Sequence, residues 1–443
     1  MMINDQLTQI WIEMFFKEFI SEDLSICIKD DFYTIQNKDN QLSLLIKKND
    51  NLGNSNFISA QKIHKSNSYF HLDHFIEDEF IFFDYNEAGN IVEKVNSTQF
   101  LIKPKIIDYI FWTVNRLEEI NESLNFDDHK RFHPEKMFAF KNDFLERPIV
   151  DEYTWLIRNI CSKIWPDLIL KKDSFFNCNL SCDIDHPFLS KRPRMKVLKE
   201  SLSKMIKEKD IYSSFEHYFN FEFSKIFGIK HDKYLRGIKR LKEIAANKEI
   251  KILFFLLLRR TNMIHDEFID SEHSDYIDMI KDLYNANHII GLHPGYDCDK
   301  DENFKHSVED FLRFCNKNHI NIREMHSRMH YLRFDVENTI NQLEKFNITN
   351  DHSLGFTDKM GFRTGSCQPQ KLINFKNNSI SETYFHSLNI MDHCIIDSKK
   401  ESDIEQKIYN ASVLINRVKF YKGNLNILWH NSSLNSKLEL KAL

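Results

Sequence analysis

Residues 177–187, NCNLSCDIDHP, contain two acids two positions apart, shortly before a proline. The stretch up to Asp183 has the length of a strand, and Pro187 marks the turn that follows it. Along an extended chain, side chains at positions i and i+2 point to the same side, so Asp183 and Asp185 can enter one pocket. Close carboxylates repel each other unless a cation lies between them or one takes a proton. The motif therefore indicates either a functional strand end or a polar turn, and by itself it leaves both open.

Further strand-like runs follow this stretch, and helical stretches separate them. We predict strands at 252–258, 289–293, 322–324, 388–391 and 426–429. This alternation favours a mostly parallel α/β sheet or barrel. Several of the runs end in His, Asp or Glu, and the carboxyl ends of parallel strands carry the chemistry in such folds. A site at those ends is therefore expected.

The first part of the chain has a different pattern. Residues 1 to about 100 alternate short β-like runs with polar turns, and helices are predicted at 105–124 and 150–164. This pattern predicts an α+β fold. The 443 residues also exceed the roughly 100–200 of one average domain. We therefore predict two domains, an α+β module of unknown role over residues 1–170 and an α/β domain over residues 171–443.

Charge and composition exclude several classes of protein. A formal charge of −5 argues against a nucleic-acid binder, and the basic segment 191–209 has the apolar spacing of a solvated amphipathic helix. The longest apolar run, 252–258, is far shorter than the ~18 residues of a membrane span. No basic region precedes the first apolar residues, and the eight cysteines form no CxxC pair. We expect a cytoplasmic protein with reduced thiols.

Two histidine motifs offer metal ligands. In IGLHPGYD, residues 290–297, a short apolar run delivers His293 into a Gly/Pro loop, and Asp297 follows four positions later. In HSRMHYLR, residues 326–333, the side chains of His326, Arg328 and His330 share one face if the segment is extended. Neutral imidazole is a common zinc ligand. An incidental turn histidine and an exposed edge strand would show the same patterns, so both interpretations stay open.

Glycine is scarce, and its placement is informative. Only ten occur in the chain, and pairs of them flank two polar residues: Gly291 and Gly295 flank His293, while Gly361 and Gly365 flank Arg363. At these positions we expect a backbone conformation or a close packing that leaves little room for a side chain. A guanidinium such as that of Arg363 suits the orienting of a carboxylate.

The order of the motifs resembles that of the polysaccharide deacetylase family (NodB homology, carbohydrate esterase family four), in a divergent branch. The ordered set is Asp-x-Asp, strand-His-Pro, Gly-Phe-Arg-x-Gly and a strand-end histidine, His430, and it covers residues 172 to about 435. Upstream, IIDYIFWTVNRLEE, DHKRF and FLERPIVDEYTW resemble an uncharacterised module that often precedes this branch. The resemblance implies a distorted (β/α) barrel with fewer than eight strands and a divalent metal, usually zinc, at its mouth.

Roles for individual residues follow from the same resemblance. Asp183 matches the general base, Asp185 and His293 match metal ligands, Arg363 matches the arginine that orients the base, and His430 matches the general acid. His430 suits that role chemically, since the ordinary pKa of histidine lies near neutrality.

One departure from the family concerns the third ligand. The family has a second histidine four positions after the first, whereas this chain has Asp297 there. The third ligand is then either Asp297 or His330, and we favour His330 because imidazole restores an Asp-His-His set. Substrate-binding candidates in or near the motifs are Tyr296, Asp351, Asp392 and Trp429.

The expected function is metal-dependent removal of an N- or O-acetyl group from a sugar or polysaccharide precursor. The expected partner is an acetylated sugar, with no nucleic acid and no membrane span. One alternative is a catalytically silent deacetylase-like barrel that binds a glycan or protein, motivated by the missing second histidine. Another is a phosphoesterase, which commonly holds two metals.

Overall fold

The structure is a computed structural model that describes residues 5–38, 41–49, 57, 59–64, 76–87, 89–120, 125–207, 211–396 and 401–434. The helices are α1 (Asp5–Phe19), α2 (Ile106–Val114), α3 (Phe138–Lys141), α4 (Ile149–Ile164), α5 (Arg194–Lys207), α6 (Ile211–Phe227), α7 (Lys233–Lys248), α8 (Ser274–Asn285), α9 (Asp301–Lys317), α10 (Asn338–Lys345), α11 (Asp392–Ile396) and α12 (Glu401–Phe420). The strands are β1 (Leu24–Lys29), β2 (Phe32–Asn37), β3 (Ser43–Lys47), β4 (Ala60–His64), β5 (Glu79–Phe83), β6 (Val92–Lys94), β7 (Gln99–Ile102), β8 (Asn177–Ile184), β9 (Ile252–Leu256), β10 (Ile289–Leu292), β11 (His326–Ser327), β12 (Asn350–Asp351), β13 (Gln370–Asn374), β14 (Ser379–Phe385), β15 (Ile390–Met391) and β16 (Asn424–Leu428).

The chain divides into two compact units, and neither is one continuous segment. The first comprises Met1–Asn177, Leu332–Asn389 and Asn410–Leu425, and the second comprises Cys178–Tyr331, Ile390–Tyr409 and Asn426–Leu443. The first break lies close to the predicted boundary at residue 170. The predicted second domain is nevertheless not one unit, because residues after Tyr331 return to the first.

Contacts between residues far apart in the sequence explain why this segment belongs to the first unit. The indole N–H of Trp11 on α1 donates a hydrogen bond of 2.9 Å to the carbonyl oxygen of Lys371 on β13. The Trp11 ring also packs edge-on against Phe111. An interaction between positions so far apart leaves no periodic signal in the sequence.

The first unit is a mixture of sheets and helices around an aromatic core. Its largest sheet has the order β1-β2-β3-β7-β6 and is antiparallel except where β3 meets β7. The ring of Phe83 packs against Tyr109, Phe138 and Phe144. The helix predicted at 150–164 is confirmed as α4. The helix predicted at 105–124 is α2 followed by a 3-10 turn at Leu117–Glu119, and residues 121–124 lie outside the described residues.

The second unit contains parallel strands in the order β11-β10-β9-β8-β16-β15. Every residue of β9 is buried, as expected for a strand covered on both faces of a parallel sheet. The strands predicted at 177–183, 252–258 and 289–293 are confirmed as β8, β9 and β10. Those predicted at 388–391 and 426–429 correspond to β15 and β16 with shifted ends.

Two expectations about this sheet differ from the structure. The strand predicted at 322–324 is wrong, because most of those side chains are exposed and the paired strand, β11, begins at His326. The outermost strands of the second unit, β11 and β15, do not pair with each other, so no closed barrel is formed by the described strands. No helix in the described ranges combines the length and apolarity needed to cross a bilayer.

Asp232 fixes the loop that leaves β8. Its carboxylate caps α7 by accepting hydrogen bonds from the amides of Tyr234 and Leu235. The same carboxylate accepts from the amides of Leu189 at 3.0 Å and Ser190 at 2.7 Å. A completely buried carboxylate with this many donors is well satisfied. The backbone just after Asp185 is thereby tied to the start of α7.

Candidate active site

The carboxyl ends of the parallel strands in the second unit bring acids and histidines together. Asp183 and Asp185 lie at the end of β8, His293 follows β10, His330 follows β11 and His430 follows β16. Because the strands are parallel, these ends share one edge of the sheet. The sequence predicted this edge as the place of the site.

Asp185, His293 and His330 form the centre of the group. Their ligand atoms all lie within 4.8 Å of one another. The Nε2 atom of His293 is 3.2 Å from Oδ1 of Asp185, and Nε2 of His330 is 3.7 Å from the same oxygen. The two imidazole rings meet edge to face with their centroids 5.0 Å apart.

Hydrogen bonds at Nδ1 fix the orientation of both rings. Nδ1 of His293 donates to the carbonyl oxygen of Arg328 at 2.5 Å, and Nδ1 of His330 donates to Oδ1 of Asp266 at 2.8 Å. A carbonyl oxygen and an ionised carboxylate only accept, so the proton of a neutral imidazole is at Nδ1. The Nε2 lone pairs are therefore available toward the group, as in histidines that bind metal.

Asp266 is a residue of this site that the sequence did not reveal. It is completely buried, and its carboxylate also accepts from the amides of Thr261, Asn262 and Tyr296. Burial by itself raises the pKa of Asp266, but the hydrogen bond from His330 and those from the amides lower the pKa to about 2. Its position in the loop after β9, at the same sheet edge, was the only available signal.

The donor atoms of the group fit a divalent cation. Nε2 of His293 and Oδ1 of Asp185 are both buried and, within the described part of the chain, have no hydrogen-bond partner. Leaving such atoms unpaired costs free energy, so they indicate a role that the protein alone does not fill. Two imidazole nitrogens and one carboxylate, with a position left open, form a donor set found in catalytic zinc sites. The residues present therefore fit zinc.

The charges in the group also favour a cation. Burial by itself lowers the pKa of His293, yet the carboxylates of Asp183 and Asp185 outweigh burial and raise that pKa above its ordinary value. Conversely, burial raises the pKa of Asp185, but the neighbouring imidazoles, that of His330 foremost, hold it well below its ordinary value. The histidines compensate here for a local excess of negative charge.

Asp183 is held by Arg328. Nη1 of Arg328 donates to Oδ1 of Asp183 at 2.8 Å, and Nη2 donates to Oγ of Ser181 at 2.9 Å. The guanidinium also lies 4.4 Å from the centroid of the Phe255 ring. The other oxygen of Asp183, Oδ2, lies 3.8 Å from Nε2 of His293 and faces the group.

Arg363 makes a different ion pair from the one expected. It belongs to the first unit, where Nε and Nη2 donate to the two carboxylate oxygens of Glu119 at 3.0 and 2.8 Å. Glu119 also accepts from Arg116, and all three side chains are buried. The guanidinium that contacts Asp183 is that of Arg328, whereas Arg363 was the arginine expected to orient this base. Arg363 was singled out because Gly361 and Gly365 flank it, and flanking glycines do not indicate which carboxylate an arginine contacts.

His430 and Asp392 form a hydrogen-bonded pair. Oδ2 of Asp392 accepts from the backbone N–H of His430 at 2.9 Å and from Nδ1 at 3.0 Å. Burial lowers the pKa of His430, but Asp392 outweighs burial and raises that pKa to about 10. Nε2 of His430 lies 3.8 Å from Oδ2 of Asp185. Asp392, expected to bind substrate, therefore orients the ring of His430.

The ligand atoms of Asp392, His393 and His430 also lie within 4.8 Å of one another. Because Nδ1 of His430 is already bonded to Asp392, and His393 is largely exposed, we interpret this second group as the histidine–carboxylate pair with a neighbouring surface histidine.

Asp297 is placed outside the central group. Its Oδ2 accepts from the side-chain amide of Asn262 at 3.1 Å, and its own N–H donates to Oγ1 of Thr261. The residue that joins Asp185 and His293 is His330.

The other candidate substrate-binding residues have varied surroundings. Tyr296 is half-buried, with its ring stacked on His265 at a centroid distance of 4.0 Å. Asp351 belongs to the first unit, where its buried carboxylate accepts from the N–H and Oγ of Ser353. Trp429 is buried and donates from Nε1 to the carbonyl oxygen of Ser433 at 3.1 Å. Asp351 and Trp429 are thus both buried and hydrogen-bonded to residues close to them in the chain.

Gly295 confirms the expected lack of space beside His293. A Cβ atom at this position would lie 2.5 Å from Oγ1 of Thr261 and 2.8 Å from Oδ2 of Asp266. Real Cβ atoms essentially never come this close to other heavy atoms. The loop therefore needs glycine so that Asp266 can reach both the loop amides and His330.

A family model and two solved structures are similar to parts of the chain. Residues 3–166, less than half of the chain, match the model of DUF7033, a family of unknown function. No curated protein matches the chain. A solved "putative polysaccharide deacetylase" from Mycobacterium smegmatis is 12% identical, with a TM-score of 0.37 over 62% of this chain and 83% of that one. Another, described as involved in O-antigen biosynthesis in Bordetella bronchiseptica, is 9% identical, with a TM-score of 0.26 over 60% of this chain and 88% of that one.

Proposed function

We propose that the second unit is a metal-dependent hydrolase that removes an acetyl group from a sugar or a polysaccharide precursor. The observation that carries the proposal is the group Asp185, His293 and His330, in which Oδ1 of Asp185 and Nε2 of His293 are buried without a hydrogen-bond partner among the described residues. The pairs Asp183–Arg328 and Asp392–His430 flank this group at the same sheet edge. The sugar and the acetyl group come from the family resemblance of the motifs.

The metal would be held by Oδ1 of Asp185 and by Nε2 of both His293 and His330. When bound, a zinc ion supplies a Lewis acid that polarises the acyl oxygen and lowers the pKa of water. The hydrogen bonds from Nδ1 to Arg328 and Asp266 keep both rings oriented for this purpose.

Asp183 is the proposed general base. Arg328 engages Oδ1, which leaves Oδ2 facing the group to accept a proton from the attacking water. The two donors of Arg328 go to Asp183 and Ser181, so the carboxylate is held in one orientation. A base positioned in this way typically contributes about 10²–10⁴-fold to the rate.

His430 is the proposed general acid. Asp392 raises the pKa of His430 to about 10, so the ring carries a proton at neutral pH. Nε2 donates that proton to the departing nitrogen of an amide substrate. An amine anion is a very poor leaving group, so an N-acetyl substrate needs this proton more than an O-acetyl ester does.

Acetate release from N-acetylated and O-acetylated sugars, with and without a chelator, tests the proposal. We expect release that depends on added zinc and that Asp183→Asn abolishes. Equal release by wild type and Asp183→Asn would overturn it.

The alternative of a catalytically silent domain was motivated by the histidine missing at position 297. Nε2 of His330, 3.7 Å from Oδ1 of Asp185, can supply the missing ligand, and this supports the hydrolase. Metal content after purification separates the two, because a silent domain would retain no stoichiometric divalent ion.

A further inference from the structure

Helices α5 and α6 in the second unit expose an unusual amount of apolar surface. Of the 22 large apolar side chains that are exposed in the described part of the chain, ten lie on these two helices. A soluble protein rarely exposes a contiguous apolar surface without a binding role. The basic segment 191–209, interpreted from sequence as a solvated helix face, includes α5.

The most regular part of this surface is a row of phenylalanines along α6. Phe215, Phe219, Phe223 and Phe227 are spaced four residues apart, and successive ring centroids lie 6.1, 5.7 and 4.4 Å from each other. Phe215 is 70% exposed, Phe219 54% and Phe227 56%. At about 1.5 Å of rise per residue, the row is about 18 Å long.

The face of α6 opposite the row attaches the helix to its unit, while of the row itself Phe223 contacts His231. The opposite face of the helix supplies Phe221, which packs in a buried cluster with Leu189, Val197 and Tyr234. Ser214 on the same side donates from Oγ to the carbonyl oxygen of Ser201 on α5. The helix is thus anchored from one side, and the phenylalanine row is left on the other.

The chain segment that includes the row contains more basic than acidic residues. Residues 191–233 contain eleven Lys and Arg but six Asp and Glu, whereas the whole chain contains 60 and 65. Lys199, Lys225 and Lys230 are exposed. Aromatic and aliphatic side chains combined with lysines on adjacent helices are typical of helices that lie in the interface of an anionic membrane.

This charge argues against a second copy of the chain as the occupant. A symmetric dimer through this face would bring two positively charged segments together. An anionic bilayer instead attracts lysines that lie near its surface and accepts the apolar side chains.

We propose that α5 and α6 form a docking surface for membranes that contain anionic phospholipid, with the phenylalanine row in the interface. The surface goes beyond the proposed hydrolase activity. Its binding requires neither metal nor substrate, so the two proposals succeed or fail separately.

Cosedimentation of the full chain with lipid vesicles tests the surface. We expect binding to vesicles of equal parts phosphatidylglycerol and phosphatidylcholine, little binding to pure phosphatidylcholine, and weaker binding as salt increases. The double variant Phe215→Ser/Phe219→Ser should bind at least about tenfold more weakly, because it lacks two aromatic rings that wild type transfers from water into the membrane interface. Phe175→Ser, at a position 86% exposed in the first unit, is the matched control and should bind like wild type.

A charge variant provides a second test that leaves the apolar surface intact. Lys199→Glu/Lys230→Glu should lose binding to the anionic vesicles, while Lys62→Glu/Lys136→Glu, at exposed positions of the first unit, should keep it. Circular dichroism and the melting temperature check that each variant is folded.

Three results would overturn the proposal. The first is equal vesicle binding by wild type and the folded phenylalanine variant, and the second is equal binding of wild type to anionic and neutral vesicles. The third is that wild type does not bind vesicles but forms a concentration-dependent dimer, which the phenylalanine variant does not form. The last result would assign the surface to a second copy of the chain.

Discussion

The guanidinium of Arg328 lies 2.8 Å from Asp183, and both side chains are buried at the sheet edge. The chain has a second buried arginine–carboxylate pair, Arg363 with Glu119, in the first unit. The two pairs are alike in chemistry, but the proposed mechanism uses only the first. Substitutions in the two pairs therefore separate the effect of losing a buried ion pair from the effect of losing one at the proposed site.

We predict that Arg328→Lys lowers kcat about 10²-fold, because lysine keeps the charge but cannot donate to Asp183 and Ser181 in the same fork. Arg363→Lys should leave kcat near wild type and lower the free energy of unfolding, since it loosens a buried pair. Steady-state kinetics and urea unfolding of both variants measure the two effects. The opposite ranking of kcat would mean that Arg363 supports the reaction.

Asp266→Asn should weaken zinc binding about 10–100-fold, since an amide orients Nδ1 of His330 less firmly than a carboxylate does. Asp297→Asn should leave the affinity unchanged, because Asp297 bonds to Asn262 outside the central group. Competition with a zinc-sensitive dye measures both affinities. A loss confined to Asp297→Asn would identify that residue as the third ligand.

Asp392→Asn should change the pH dependence of kcat. In wild type the pKa of His430 is raised to about 10, so the acid is protonated at neutral pH and is lost only as pH rises through that value. Removing the carboxylate charge lowers the pKa of His430, so activity on an N-acetyl substrate should fall at a lower pH. The shift should be smaller for an O-acetyl ester. Identical alkaline limbs for the variant and wild type would contradict the role of His430.

The same pair should influence stability. Because folding raises the pKa of His430, its contribution to the free energy of unfolding is fully present below the unfolded pKa of about 6.5. That contribution is lost as pH rises through about 10. Urea unfolding of the metal-free protein should therefore show less alkaline loss of stability in Asp392→Asn than in wild type.

Gly295→Ala should reduce zinc affinity and activity together, because its Cβ would come within 2.8 Å of Oδ2 of Asp266 and displace the carboxylate that orients His330. Gly89→Ala is the control, since a Cβ there meets nothing within 4 Å and its cost comes from a φ of +91° rather than from a contact with the site. Zinc titration and acetate release check both variants. Greater loss in Gly89→Ala would count against the site.

The sequence predicted the edge of the sheet that carries the site because strand ends and ligand types are local features. Asp185 and His293 were singled out from a few neighbouring residues each, and His330 because imidazole would restore the Asp-His-His set of the family that the motifs resemble. Arg328 was noted, but its partner was not, because ion pairs join positions far apart. Asp266 was missed for the same reason, since its role depends on a loop folding against His330.

The barrel and the domain boundary were predicted less well. Closure of a sheet depends on whether its first and last strands meet, which the order of strands along the sequence does not decide. The domain division was predicted as a single cut near residue 170, whereas residues 332–389 group with the amino-terminal part of the chain. Contacts such as Trp11 with Lys371 were not visible in the hydrophobic pattern.

The hydrogen bond between Trp11 and Lys371 limits where the protein can be truncated. Residues 178–331 are inserted between two parts of the first unit. The segment that matches DUF7033 is therefore only a part of that unit and not a separate domain. A chain that starts at residue 171 would lose α1 and leave β13 and its neighbours without their apolar cover. We expect such a truncation to aggregate, and recombination during evolution to transfer the two units together.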